Sequence, residues 1–218
     1  INFNDQNLSS PDFLEKISTT LKDQLKQNLL FLDTKTLESR ISDQFSELET
    51  VQISKNYPNS ITIEFSKFPL VANIINESSS LKKSYIINAA GIAVKEDLKH
   101  EGLPTIHIVS DEPLNTAQPL ITAETLKYIL DSIADFNSRF GEKVQIIEVT
   151  YKPIAREVHL LTARNFYIWL DLQRPYDEQF KKLKKALVKL DIYSLDLEYI
   201  DLRIAANNGD RIIYKLRK

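Results

Sequence analysis

Residues 33–65 read DTKTLESRISDQFSELETVQISKNYPNSITIEF, and within them the spacing of the apolar residues changes period. Leu37, Ile41 and Phe45 recur at four-residue intervals behind Asp33, a residue type that caps helix N-termini. This spacing predicts a helix with one apolar stripe. Val51 and Ile53 then alternate with polar residues, KNYPN supplies turn chemistry, and Ile61, Ile63 and Phe65 alternate again, which predicts an antiparallel hairpin. Upstream, SSPDFLEKISTTLKDQL has Ser10 as a capping residue, Pro11 at the first helical position, and Leu14, Ile17, Leu21 and Leu25 at helical spacing. With INF as a leading strand, the order is β-α-α-β-β.

From about Pro69 the style changes to many strands and few helices. SYIINAAGIAV holds two short strands broken at Ala90-Gly91, and LPTIHIVS is another. A helix from Thr122 to Phe140 carries Leu126, Ile129, Leu130 and Ile133 and stops before Gly141. KVQIIEVTY, EVHLLTA and NFYIWLDL follow as a meander, with Trp169 and Tyr167 alternating as strand packing. A last helix has Tyr176, Phe180, Leu183, Leu187 and Leu190 in one stripe, leaving Lys181, Lys182, Lys184, Lys185 and Lys189 on its solvated surface. The expected fold class is α+β, with domains at 1–70 and 71–218, the second mainly antiparallel with two helices and a C-terminal hairpin.

Composition narrows the chemistry. With 43% hydrophobic and 27% charged residues, the chain is of ordinary globular type. It has no cysteine, which excludes disulfides, thiolate metal sites and cysteine nucleophiles, and its net charge of -2 argues against nucleic acid as a main partner. His100, His107 and His159 lie on separate segments without a second ligand at helical spacing, and the four glycines sit singly at turns. The acidic pairs Asp111-Glu112 and Asp177-Glu178 lie at a turn and at a helix start, where acids serve as caps. We therefore expect no enzyme activity, no cofactor, no metal and no small-molecule substrate. The apolar runs fall short of the roughly 20 residues that span a bilayer. The chain begins at Ile1 and contains no methionine, so we expect it to continue upstream, where a membrane anchor could lie.

The chain closes on YIDLRIAANNGDRIIYKLRK. A three-residue loop Asn207-Asn208-Gly209 pairs Ile204 with Ile212, Leu202 with Tyr214 and Ile200 with Leu216, making one face apolar, and sets Asp201 opposite Lys215. The final strand then has either charges that guard its edge, Arg211, Lys215, Arg217 and Lys218, or an edge open to strand addition by a partner. For the second case, the partner-binding candidates from this register are Arg211, Ile212, Ile213 and Tyr214. Proline at Ile213 would remove a docking donor if that N–H points outward.

The stretch NLLFLDTKTLESRISDQFSELETVQISKNYPNSITIEFSKFPLVANI resembles a POTRA domain of the FtsQ/DivIB family of bacterial cell-division proteins. YIINAAGIAV, GLPTIHI and YIDLRI resemble, in order, motifs of the family's following β domain. Departures include Tyr57 where tryptophan is usual and Asp171 where glycine is frequent. The resemblance implies a non-enzymatic scaffold, the extracytoplasmic part of a single-pass protein of the inner cell membrane at the division septum. It implies recruitment of FtsB-, FtsL- or DivIC-type partners that control septal peptidoglycan synthesis, by strand addition at the terminal strands. Other division proteins could use the POTRA domain. Arg203 and Ile204 are the partner-contacting positions carried over from the Asp-Leu-Arg motif. Two other classes stand as alternatives: a POTRA-type assembly factor or chaperone for outer-membrane proteins, and a cell-wall hydrolase built on unpaired carboxylates.

Overall fold

In the computed structural model, which describes residues 1–5, 10–22, 28–77, 83–96, 99–110, 114–116, 118–204 and 211–217, the change of period after residue 45 is a change from helix to strand. The first of two compact units, Ile1–Pro69, runs β1 (Asn2–Asp5), α1 (Pro11–Leu21), a 3₁₀ turn (Leu29–Phe31), α2 (Thr34–Gln44), β2 (Leu48–Asn56) and β3 (Ser60–Lys67). Asp33 caps α2 through Oδ1, which accepts from the Lys35 and Thr36 N–H groups at 3.1 and 3.3 Å. Ser10 precedes Pro11 at the start of α1 but makes no side-chain cap bond. The sheet order is β1-β3-β2, β1 parallel and β2 antiparallel to β3. The helical stripes and alternating strand residues meet in one core of Ile17, Leu21, Leu37, Ile41, Ile53, Ile61, Ile63 and Phe65. Phe45 is half-buried, its ring edge-on to Phe13 at 5.4 Å, and Leu25 lies outside the described residues.

The second unit, Leu70–Lys218, is a nine-stranded mixed sheet in the order β12-β11-β10-β9-β8-β7-β4-β5-β6. Its elements are β4 (Leu70–Asn76), β5 (Ser84–Asn88), β6 (Ala93–Glu96), β7 (Thr105–Ile108), α3 (Ala123–Phe140), β8 (Ile146–Lys152), β9 (Glu157–Thr162), β10 (Tyr167–Asp171), α4 (Tyr176–Ala186), β11 (Leu197–Asp201) and β12 (Ile213–Leu216). The predicted meander is β8-β9-β10, antiparallel throughout. β4 was not foreseen, and it pairs parallel with β7 and antiparallel with β5. Leu126, Ile129 and Phe136 of α3 and Phe180 and Leu183 of α4 share a core with Ile74, Ile106, Val149, Leu160, Ile168 and Ile200. One face of the sheet is thus sealed by helices. The α4 stripe holds, but the helix ends at Ala186, and Leu187 and Leu190 reach the core from the turns that follow. Lys182 corrects the expectation of a wholly solvated lysine surface: it is buried, because its ammonium is used inside the fold.

Candidate partner-binding edge

β11 lies between β10, which it meets in parallel, and β12, which it meets antiparallel. Among the described residues β12 has no strand on its other side. The observed pairs are Leu197 with Leu216, Tyr199 with Lys215, Ile200 with Tyr214 and Asp201 with Ile213, with a bulge between Leu197 and Tyr199. The expected register is therefore wrong by two residues: Asp201 faces Ile213 rather than Lys215, and Ile200 faces Tyr214 rather than Leu216. A slip of two preserves the side-chain faces, so the apolar face survives. The loop Asn207-Asn208-Gly209 lies outside the described residues, as do Asp111-Glu112.

The cause of the slip is polar. A tight turn would keep residues 202–204 in the hairpin ladder, but distant cations hold their carbonyls. Lys182 Nζ donates to the Leu202 and Ile204 carbonyls at 2.9 and 2.7 Å. An Arg174 guanidinium nitrogen donates to those of Arg203 and Ile204 at 3.2 and 2.7 Å. The Leu202 N–H donates to the Trp169 carbonyl at 3.0 Å, which keeps this segment on β10.

Alternation along β12 fixes which backbone groups face outward. The Arg217 N–H donates to the Asp196 carbonyl at 2.9 Å, toward β11. Successive residues of a strand point their N–H groups to opposite sides. Lys215 and Ile213 therefore also point at β11, and the donors on the open edge belong to Tyr214 and Leu216. Proline at Ile213 would break the hairpin rather than the docking edge. Ile213, Tyr214 and Leu216 are 50%, 48% and 46% exposed, with Ile213 on the sheet face free of helices and the other two on the helix-covered face. Ile212 is half-buried against the core, and Arg211 is exposed just before the strand.

Arg203 sits on the helix-free face and binds within the protein. Its guanidinium bonds both oxygens of Asp201 at 2.9 and 2.7 Å, pairs with Glu157, and lies over the Trp169 ring at 4.9 Å. Burial pushes Asp201 up, but the Arg203 guanidinium and N–H outweigh it and hold the carboxyl below its usual range. Beside this network the rings of His159, Trp169 and Tyr199 stack at 4.8 and 4.1 Å across β9, β10 and β11. Sequence reasoning missed this ladder because its rings stack across three strands, whose register the sequence does not give. The other two histidines are also tied locally: His107 Nδ1 lies 2.9 Å from Glu77, and His100 Nδ1 lies 2.6 Å from the Glu101 carbonyl. Among the described residues, no group of three or more His, Cys, Asp and Glu side chains is placed to hold a metal.

Arg203, Ile204, Ile212, Ile213 and Tyr214 thus gather at one end of the nine-stranded sheet, around the β11-β12 pair. No curated protein matches the chain. A family model described as POTRA domain, FtsQ-type, matches residues 8–66, nearly the whole first unit. That domain type connects the chain with cell division. None of the described helices is long and apolar enough to cross a membrane. The chain carries an FtsQ-type POTRA domain followed by a β domain, the organisation of the FtsQ/DivIB type.

Proposed function

We propose that this chain is the extracytoplasmic part of a membrane-anchored division scaffold. It captures an FtsB- or DivIC-type partner, together with an FtsL-type protein, by strand addition at β12, and so regulates septal peptidoglycan synthesis. The observation that carries the reading is the edge itself. β12 ends the sheet, is exposed along all four of its residues, and offers the Tyr214 and Leu216 backbone groups to an incoming strand. Natural proteins blunt such edges with charge. Here Lys215 is engaged by Glu198 at 2.7 Å, and the Arg217 guanidinium donates to the Asn165 carbonyl, so both cations fold back onto the sheet. The apolar side chains of Ile213, Tyr214 and Leu216 remain in the open.

The test is an amide-shift titration with the extracytoplasmic part of the same organism's FtsB- or DivIC-like protein. Shifts concentrated in residues 211–217 and around Arg203 and Ile204 are expected. Binding that leaves β12 unperturbed, or no binding at high micromolar concentration, would refute the docking edge.

A further inference from the structure

Among the described residues of the unit Ile1–Pro69, large apolar side chains face solvent at one end. Among its described residues the exposed large hydrophobics are Ile1, Leu30, Phe31 and Tyr57, at 42%, 63%, 81% and 64% exposure. Strand pairing places them together. Asn2 lies opposite Thr62 and Asn56 opposite Ser60, so β1 begins beside the β2-β3 turn that carries Tyr57. Lys55 Nζ donates to the Leu30 carbonyl at 3.3 Å, which draws the 3₁₀ turn to the same end.

The fold does not need these side chains. In the 3₁₀ turn Leu29 packs against the core and the following Leu32 is 5% exposed, while Leu30 and Phe31 point away. Single exposed hydrophobics are ordinary, but their confinement to one end, with an aromatic and a phenol among them, is not. Lys55 adds positive charge beside Leu30, and Lys35 is exposed four residues after Phe31, next to the Asp33 carboxylate.

We propose that this end of the POTRA domain lies in the headgroup layer of a lipid bilayer. Phe31, Leu30 and Tyr57 enter the interface, and Lys35 and Lys55 face lipid phosphates. Rings with an apolar body and a polar tip favour that layer, and lysines beside them gain from anionic lipid. The proposal rests on the reading of the protein as membrane-anchored. An anchor upstream of Ile1 would bring this end to the bilayer, because β1 starts there. Three side chains hold a surface only weakly alone, so the contact acts on a tethered chain, orienting the unit rather than recruiting it.

Because the chain has no cysteine, a single cysteine placed before Ile1 couples it to a maleimide lipid at one point. On nanodiscs of phosphatidylglycerol and phosphatidylcholine containing a lipid spin-labelled high on its acyl chain, we expect selective broadening. Side-chain signals of Leu30, Phe31 and Tyr57 should lose several-fold more intensity than those of Asn2 and Ser60, polar neighbours at the same end. The triple variant Leu30→Ser, Phe31→Ser, Tyr57→Ser should lose the excess. Equal broadening of apolar and polar neighbours would overturn the proposal, as would lipid-independent shifts of the same residues that grow with protein concentration, which would mean self-association. The upstream gene sequence separates this from the anchor reading. No selective broadening with an encoded spanning segment sinks the lipid contact alone, whereas selective broadening without such a segment sinks the anchor and leaves a peripheral contact.

Discussion

His159 is 7% exposed, pressed against Trp169, with Nε2 at 3.0 Å from Glu157. Burial, aided by Lys152 and Arg203, pushes its pKa down from 6.5 to about 4, although Glu157 pulls the other way. A base that stays neutral in the fold gives a signed pH dependence. Between pH 6.5 and about 4 the unfolded chain binds a proton that the native state refuses, so this contribution is complete above 6.5 and drains away as pH falls through that window. The slope from this one group is at most about 1.4 kcal/mol per pH unit. Urea unfolding followed at pH 7 and pH 5 should show the loss, and His159→Gln should flatten it; an unchanged slope in that variant would place the effect elsewhere. Tyr214 gives the sharpest test of the docking edge. Tyr214→Pro removes an outward donor at an edge position that tolerates proline, whereas Tyr214→Ala keeps the donor and loses the ring. Partner affinity should fall by about tenfold more for proline than for alanine. Equal affinities would mean that the side chain, not the backbone, is read.

Gly91 shows how a turn can be fixed from outside itself. The break between β5 and β6 was legible, since Ala90-Gly91 interrupts an apolar run, but the partner of the turn was not. Gly91 has φ +80°, its carbonyl accepts from the Leu120 N–H at 2.8 Å, and a Cβ there would lie 1.8 Å from the Ile121 carbonyl oxygen. Gly91→Ala therefore forces backbone apart as well as straining φ, and should cost about 2 kcal/mol or more in thermal or urea unfolding. A loss below half of that would show that the 120–121 segment simply yields. The same contrast explains the other successes and misses. The four helices were readable because their signals are local: Asp33, Pro11, Thr122 and Gly141 mark ends, and the stripes have one period. β4 was missed because LVANII does not alternate: Ala72, Asn73 and Ile74 are buried in succession, the polar Asn73 being accommodated by hydrogen bonds to the backbone of His100 and Leu103, so no period of two marks the strand. The β11-β12 register was misread because it is set by Lys182 and Arg174, some twenty to thirty residues upstream, which no turn rule can see. The candidate residues still lie together at the β11-β12 edge, since a slip of two residues leaves every side chain on its expected face.

The two units differ in what holds them. The first buries its helical stripes on a three-stranded sheet, and its core cluster contains no residue beyond Phe65; the second builds a separate cluster that starts at Ala72. The sequence changes style near Pro69, where helix-rich and strand-rich segments each bring their own apolar pattern. Two separate cores imply two separable unfolding events, and the single tryptophan makes this testable. Trp169 is in the second unit, stacked between His159 and Tyr199, so its fluorescence reports that unit alone, while far-UV circular dichroism reports both. Ile63 is fully buried at the centre of the first core. Ile63→Ala should cost that unit about 2–5 kcal/mol by loss of contact and creation of a cavity. In urea the dichroism curve of the variant should gain an early phase while the fluorescence midpoint stays where it is in the parent. A fluorescence midpoint that moves with the dichroism would show that the units unfold as one. The substitution would then also be expected to weaken capture at β12, which independent units would leave intact.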